Sequence, residues 1–173
     1  MEQKLKEIYQ HCFDMLKLGE SKNVTLMAFN GAIIIGMLKL AHDYSENSII
    51  YYLWCAIIGC SISTLCCLIS LVAQLIHRQV DVKLAKSDNL LFFGSIAQLS
   101  PEDLLKKLSS RYGLKSENEN YEKDLAKQIV ITAQIAAKKY SIFNTAITWT
   151  FIGIATPFSF LLFKIFYNPN IWD

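Results

Sequence analysis

Three long apolar blocks alternate with amphipathic and polar stretches along the chain. The blocks begin at Val24, Ile49 and Thr145, and each is near or above the ~20 residues that a helix needs to cross the hydrocarbon layer of a bilayer. A helix in the core of a soluble domain would carry charged residues at helical spacing in such a block. The pattern therefore predicts three transmembrane helices.

The stretches between the blocks carry clear helix signals. Apolar residues recur at spacings of three and four in the first twenty residues, which predicts an amphipathic helix with Gly19 as a possible break. Ser100 and Pro101, followed by two acids, form a capped helix start, and Gly113 is a typical helix end. The run from Tyr121 to Phe166 has few helix breakers, which predicts one helix of roughly forty residues.

These elements define an all-α membrane protein. It has three transmembrane helices, a helical cytoplasmic domain and a long stalk helix that continues into the last span. In chain order we predict an amphipathic helix at 1–22, span 1 at 23–41, an external turn at 42–48, span 2 at 49–76, a sensor segment at 77–120, the stalk at 121–144, span 3 at 145–167 and an external tail at 168–173.

Composition agrees with a membrane protein. Of 173 residues, 53% are hydrophobic and only 18% are charged, which is too apolar for an ordinary soluble domain. Charged residues precede the first block and no small-x-small cleavage site follows it, so we expect a span rather than a cleaved signal peptide. The net charge of +2 gives no indication of nucleic-acid binding.

Lysine and arginine are distributed unevenly around the spans. Lys4, Lys6, Lys17 and Lys22 precede the first span and eleven more lie between the second and third, whereas the turn at 42–48 has none. Because basic residues favour the cytoplasmic side, we expect the N-terminus and the middle region inside the cell and the C-terminus outside.

One apolar segment is too short for a span. The stretch DNLLFFGSIAQLSPEDLL, from Asp88, begins with about ten mostly apolar residues on the expected cytoplasmic side. We expect its apolar half to be buried against the stalk and the first helix, with a capped helix following it.

Small and polar residues recur inside the first two spans. The stripe on span 2 has spacings of three, four and seven, which are typical of helices that pack closely in lipid. Packing is the favoured interpretation, including a helix-to-helix hydrogen bond from the amide of span 1, and a pore lining in an oligomer is the alternative. The positions are Asn30, Gly59, Ser63, Cys67, Ser70 and Gln74.

The sequence contains no pattern that is typical of a catalytic or metal-binding site. The five cysteines lack CxxC spacing, and the three histidines fall on separate segments. The spans do not pair ionisable groups suited to acid-base work. We therefore expect no enzymatic activity, no metal and no cofactor.

Five short motifs occur in order along the chain: Glu20-Ser21-Lys22, Asn30, Asn89 to Gly94, SPEDLLKKL and Ala136-Ala137-Lys138-Lys139-Tyr140. Together they resemble a known family, the Pycsar transmembrane effectors. The resemblance covers nearly the whole chain in order. The acidic-x-Lys motif is also similar to that of a sister group of two-span effectors in other nucleotide-signalling systems.

The resemblance implies a role in anti-phage defence. A phage-triggered cyclase makes cyclic CMP or cyclic UMP, and the effector responds as an oligomer by disrupting the bacterial inner membrane. An effector for a different nucleotide and a passive membrane scaffold are the alternatives. An anionic nucleotide needs cations for its phosphate and an aromatic face for its base. The candidate ligand residues are Asn89, Phe92, Phe93, Lys106, Lys107 and Arg111.

Overall fold

A computed structural model of the chain describes residues 1–43, 49–71, 89–115 and 118–167. The helices in this part of the chain are α1 (Glu2–Asp43), α2 (Ile49–Leu71), α3 (Phe93–Ile96), α4 (Pro101–Tyr112) and α5 (Glu119–Tyr167). The same residues contain no strand, and α1, α2 and α5 are long and apolar enough to cross a membrane. The predicted all-α fold with three candidate spans is confirmed. Gln74 and the predicted tail at 168–173 lie outside the described residues, as do 44–48 of the predicted turn.

The first helix is longer than either of its two predicted segments. The amphipathic segment and the first span form one helix of 42 residues, which passes through Gly19 without a break. A glycine inside a helix costs only ~1 kcal/mol. A Cβ built on Gly19 would lie 3.4 Å from a ring carbon of Tyr140, which is an ordinary van der Waals distance. The glycine therefore lies in contact with α5 within a continuous helix and does not end it.

The last helix is also continuous. It extends over 49 residues without interruption, although Pro157 lies inside it, so the predicted long helix is confirmed. It begins at Glu119, and the acids Glu119 and Glu122 lie in its first turn, where they face the positive end of the helix dipole.

The chain divides into two compact units, which are described separately. The head unit comprises Met1–Ser21 and Ala73–Ser141, and the span unit comprises Lys22–Val72 and Ile142–Asp173. Both α1 and α5 contribute residues to each unit.

The core of the head unit is built from α1, α4, α5 and the segment before α4. Apolar residues of α1 pack with the stalk part of α5. Four alanines of the stalk part of α5 are covered within the same chain, because Ala126, Ala133, Ala136 and Ala137 are each at most 1% exposed. The core comprises Leu5, Ile8, Cys12, Leu90, Ile96, Ala97, Leu104, Leu108, Ala126, Ile129, Val130, Ala133 and Ala137.

The short apolar segment before α4 is only partly buried. Leu90 and Ile96 are 2% and 0% exposed and belong to the core. Leu91 and Phe92 are 44% and 38% exposed, so the expectation that the whole apolar half is buried is wrong. The segment forms a turn and the four-residue helix α3, and such a short element can turn only one of its faces to the core.

The capped helix α4 forms as the sequence predicts. The hydroxyl of Ser100 accepts a hydrogen bond from the backbone N–H of Asp103, and Pro101 occupies the first turn. Gly113 ends the helix in the left-handed conformation, with φ of 62°.

The span unit packs its helices through small residues. A Cβ built on Gly59 of α2 would lie 3.0 Å from the Cα of Gly153 on α5. The buried face of α2 also contains Ala56, Cys60 and Cys67. Small side chains let helix backbones approach closely in lipid, where dispersion contacts rather than hydrophobic burial hold helices together.

Candidate functional site

A solvent-facing cleft lies beside the last turns of α4 in the head unit. Ser110 and Arg111 follow Lys107 by three and four residues, so the three residues share one side of the helix, and Leu90 is the remaining described lining residue. The cleft has a volume of ≈ 280 Å³. The Ser110 hydroxyl donates a hydrogen bond to the Lys107 carbonyl at 3.2 Å, which fixes its position on the helix. Two cations, a hydroxyl and an apolar wall suit a small organic anion.

Electrostatics favours this end of α4 for an anion despite the helix dipole. The C-terminus of a helix carries about −0.5 of a unit charge, which two full positive charges outweigh. The N-terminus is unsuitable because Asp103 accepts a hydrogen bond from the Ser100 hydroxyl at 2.9 Å and Glu102 lies in the same turn. Their carboxylates would repel an anion there.

Two of the six predicted ligand residues are among the described lining residues of this cleft. Lys107 and Arg111 line it, whereas Lys106, Asn89, Phe92 and Phe93 are not among its described lining residues. The side-chain oxygen of Asn89 accepts a hydrogen bond from the N–H of Leu91 at 2.9 Å, which shapes the turn leading to α3.

The two phenylalanines differ in their surroundings. Their ring centroids are 4.9 Å apart, and the Phe93 ring lies 5.4 Å from the ring of Tyr140 on α5. Phe93 is half-buried against the head core, whereas Phe92 keeps 38% of its surface exposed. Of the two rings, that of Phe92 is therefore the more exposed.

Residues of the family-like motifs meet within the head unit. The Lys139 ammonium lies 3.1 Å from the Glu20 carboxylate, and Lys139 is only 8% exposed. Tyr140 packs beside Gly19, and burial raises the pKa of its hydroxyl. In the span unit, the Lys22 ammonium lies 5.9 Å from the ring centroid of Phe143, within cation–π range.

Two layers of buried polar side chains cross-link the span unit. In the two-residue layer, the Asn23 amide donates to the Ser70 hydroxyl at 3.2 Å. In the three-residue layer, the Asn30 amide donates to the Ser63 hydroxyl at 2.8 Å. The Thr150 hydroxyl of α5 lies 2.9 Å from both the Asn30 side-chain oxygen and the Ser63 hydroxyl. All five side chains are at most 4% exposed.

The layers fix the register of α1 against α2. Asn23 and Asn30 are seven residues apart, and so are their partners Ser70 and Ser63, which follow in the opposite order. The two helices are therefore antiparallel. A cross-helix hydrogen bond in a membrane averages ~0.6 kcal/mol, so the layers specify an arrangement without holding it strongly.

Other hydroxyls of α2 and α5 bond within their own helices. Thr64, Thr148 and Thr156 each donate to the carbonyl four residues earlier. Those side chains need no partner helix, unlike the members of the polar layers.

The predicted pore or packing residues lie within this packing. Asn30, Ser63 and Ser70 belong to the layers, Gly59 faces Gly153, and Cys67 packs with Leu26 and Ala146. This placement agrees with the helix-packing interpretation. Asn23, Thr150 and Gly153 were missed as site residues, although the seven-residue spacing of Asn23 and Asn30, matched by Ser63 and Ser70, was a usable signal.

The fold and these sites define an all-helical membrane protein with three candidate spans and a cationic cleft in its head unit. The model of the Pycsar effector protein domain matches residues 4–166, and the chain belongs to this family. Membership implies an effector in anti-phage signalling by cyclic pyrimidine nucleotides. No curated protein and no solved structure gave a match.

Proposed function

We propose that this protein senses a cyclic pyrimidine mononucleotide through its head unit and, as an oligomer, permeabilises the bacterial inner membrane. The infected cell then stops growing or dies before the phage spreads. Family membership supports the signal and the outcome. The observation that carries the sensing step is the cleft with Lys107 and Arg111 on one face of α4.

The charge of the cleft matches the ligand class. A cyclic mononucleotide carries one phosphate with a single negative charge. Arg111 offers a planar fork of N–H donors to phosphate oxygens, and Lys107 adds a compact positive charge. Phe92, which is exposed two residues after Leu90, is the candidate to stack on the pyrimidine ring.

The size of the cleft is compatible with a mononucleotide. Its volume of ≈ 280 Å³ lies just below the roughly 300–1,000 Å³ typical of small-molecule sites. The cleft opens to solvent, so the discrimination between a mononucleotide and a cyclic dinucleotide is left to the binding measurement.

The charge distribution supports a cytoplasmic head unit. Lysines and arginines are concentrated before the first span and between the second and third. A cytoplasmic head would meet the product of a nucleotide cyclase where it is made, and the C-terminus would then face outside.

Close packing of the span unit supports the need for several copies. Helices that approach at Gly59 and Gly153 leave little width for an aqueous path inside one chain. Permeabilisation would therefore use a path formed between protomers, with polar span residues turned toward it.

Calorimetry of the detergent-solubilised protein tests the sensing step. We expect heat of binding with cyclic CMP or cyclic UMP and none with a cyclic dinucleotide. In cells that express the protein, raising the same nucleotide should depolarise the membrane. Binding of a cyclic dinucleotide instead would support the alternative signal. A lack of binding and of depolarisation with every nucleotide would favour a passive scaffold.

A further inference from the structure

Five buried polar side chains of the span unit form hydrogen bonds with one another across helices. Asn30, Ser63 and Thr150 bring one group each from α1, α2 and α5, and Asn23 and Ser70 add a second layer one heptad away. Other hydroxyls of the span unit, such as that of Thr148, donate a hydrogen bond to a carbonyl of their own helix. The layers therefore depend on the relative positions of three helices.

Thr150 is the residue most sensitive to that arrangement. Its hydroxyl has one hydrogen, yet three oxygens lie within reach, namely those of Asn30, Ser63 and the Ala146 carbonyl. The carbonyl belongs to its own helix, so Thr150 can exchange its cross-helix bonds for an intrahelical one. Such a residue can leave the layer without losing every partner.

A weak point in α5 lies close to the same residue. Pro157 has no amide hydrogen to donate to the carbonyl of Gly153, and its ring crowds that carbonyl. Helices bend at such positions. Gly153 is also the point of close approach to α2, so a bend here would change the α2–α5 contact one turn after Thr150.

We infer that the two polar layers form a latch that holds the span unit closed, and that activation opens it. This inference rests on the proposed function. In the closed state the polar groups face one another and the lipid meets apolar side chains. Opening separates Asn30, Ser63 and Thr150. Thr150 can turn to the Ala146 carbonyl, whereas the Asn30 amide must find water or a second copy of the chain, because lipid offers no hydrogen-bond partner. Release thus couples activation to assembly of a polar path.

A valine substitution tests the latch without any ligand. Thr150→Val keeps the shape of the side chain and removes the hydroxyl. We expect it to depolarise cells that lack a cyclase, at a membrane abundance at which the unsubstituted protein does not. The matched control is Thr148→Val, two residues earlier. Within the described part of the chain its hydroxyl bonds to the Asn144 carbonyl of its own helix, and the variant should not depolarise cells. A silent Thr150→Val protein at equal abundance would overturn the latch.

Thiol accessibility provides a second test that does not depend on the behaviour of the valine variant. Thr150→Cys is made in a chain whose five native cysteines are replaced by alanine. The protein is placed in vesicles of phosphatidylethanolamine and phosphatidylglycerol with a water-soluble methanethiosulfonate. Addition of cyclic CMP or cyclic UMP should raise the labelling rate about tenfold, in the range of allosteric couplings. Thr148→Cys should show no rise.

The two tests separate this inference from the proposed function. Leakage of a dye trapped in the same vesicles is measured alongside the labelling rate. If a nucleotide causes leakage while the labelling rate at position 150 stays constant, the latch is overturned and the proposed function stands. If no nucleotide causes leakage, the proposed function is overturned. A Thr150→Val protein that still depolarised cells would then support the latch alone.

Discussion

The carboxylate of Glu20 lies 3.1 Å from the ammonium of Lys139, so an acid of α1 neutralises a nearly buried lysine of α5. The two partners of this ion pair differ in exposure: the lysine side chain is 9% exposed and the glutamate side chain is 48% exposed. The pair joins the two helices that contribute residues to both units.

This asymmetry predicts unequal effects of removing either partner. Glu20→Gln leaves a buried ammonium without this carboxylate and should reduce the free energy of unfolding by about 1–3 kcal/mol. Lys139→Met leaves a carboxylate that water can solvate and should cost less than about 1 kcal/mol. Chemical unfolding of the purified protein in detergent measures both values. A larger loss for Lys139→Met would contradict the argument.

A control on the same helix calibrates the loss. Glu7 pairs with Lys4 at 2.7 Å, and both side chains are at least 40% exposed. Glu7→Gln should therefore change the free energy of unfolding by less than about 1 kcal/mol. The exchange Glu20→Lys with Lys139→Glu should recover less than the full stability, since the two sites differ in burial.

Removal of the cleft cations should weaken nucleotide binding. Hydrogen bonds to charged groups contribute roughly 1.5–3 kcal/mol, so Lys107→Ala or Arg111→Ala should raise Kd by about 10- to 100-fold. Lys127→Ala removes the same charge from an exposed site on α5 and serves as the control. Calorimetry with cyclic CMP and cyclic UMP gives the constants. An equal increase in Kd for Lys127→Ala and Lys107→Ala would show that binding depends only on the overall charge of the protein.

Lys106 separates the sequence-based site from the cleft. It was predicted alongside Lys107, but only Lys107 lies among the described lining residues. Adjacent positions on a helix point about 100° apart, so Lys106 lies to one side of the face that is centred on Lys107. Lys106→Ala should therefore raise Kd less than Lys107→Ala does.

The sequence predicted the helices well because their signals are local. Hydropathy located three spans, and Ser100 and Gly113 marked both ends of α4. The continuity of α1 through Gly19 was not foreseen, because the ring that occupies the space beside this glycine belongs to Tyr140, far along the chain. A single glycine cannot show by itself whether it ends a helix or lets another element pack closely.

The sites were harder to predict because they depend on pairing between helices. Asn30 and Ser63 were each recognised, but their bond to each other follows only once the antiparallel register is known. Thr150 was overlooked because a threonine in a span usually bonds to its own helix, as Thr148 does. For Phe92 and Phe93, the sequence supplied the aromatic pair and the structure supplied the exposure that distinguishes them.

The buried thiol of Cys12 predicts a pH dependence of head-unit stability. Burial raises the pKa of this thiol from 9.0 to about 12. Between these values the folded protein holds a proton that the unfolded chain releases, so stability is full below pH 9.0 and falls as pH rises toward about 12. Between these pH values, the free energy of unfolding of Cys12→Ala should fall less than that of the unsubstituted protein. An identical alkaline loss in both proteins would contradict the assignment.

The approach of Gly59 to Gly153 predicts that α2 and α5 tolerate no added methyl group between them. A Cβ on Gly59 would lie 3.0 Å from the Cα of Gly153 and 3.1 Å from the Trp149 carbonyl oxygen. Both are backbone atoms, so the helices must move apart. Gly59→Ala should therefore reduce the free energy of unfolding in detergent by about 1–3 kcal/mol.

A glycine in the first span provides the matched control. Within the described part of the chain, nothing lies within 4 Å of a Cβ built on Gly31. Gly31→Ala should stabilise α1 by up to about 1 kcal/mol, the difference in helix propensity between the two residues. Gly153→Ala places its methyl 3.1 Å from the Ala56 carbonyl and should act like Gly59→Ala. The double variant should lose less than the sum, because the first methyl already separates the helices. Equal effects of Gly31→Ala and Gly59→Ala would refute this close contact.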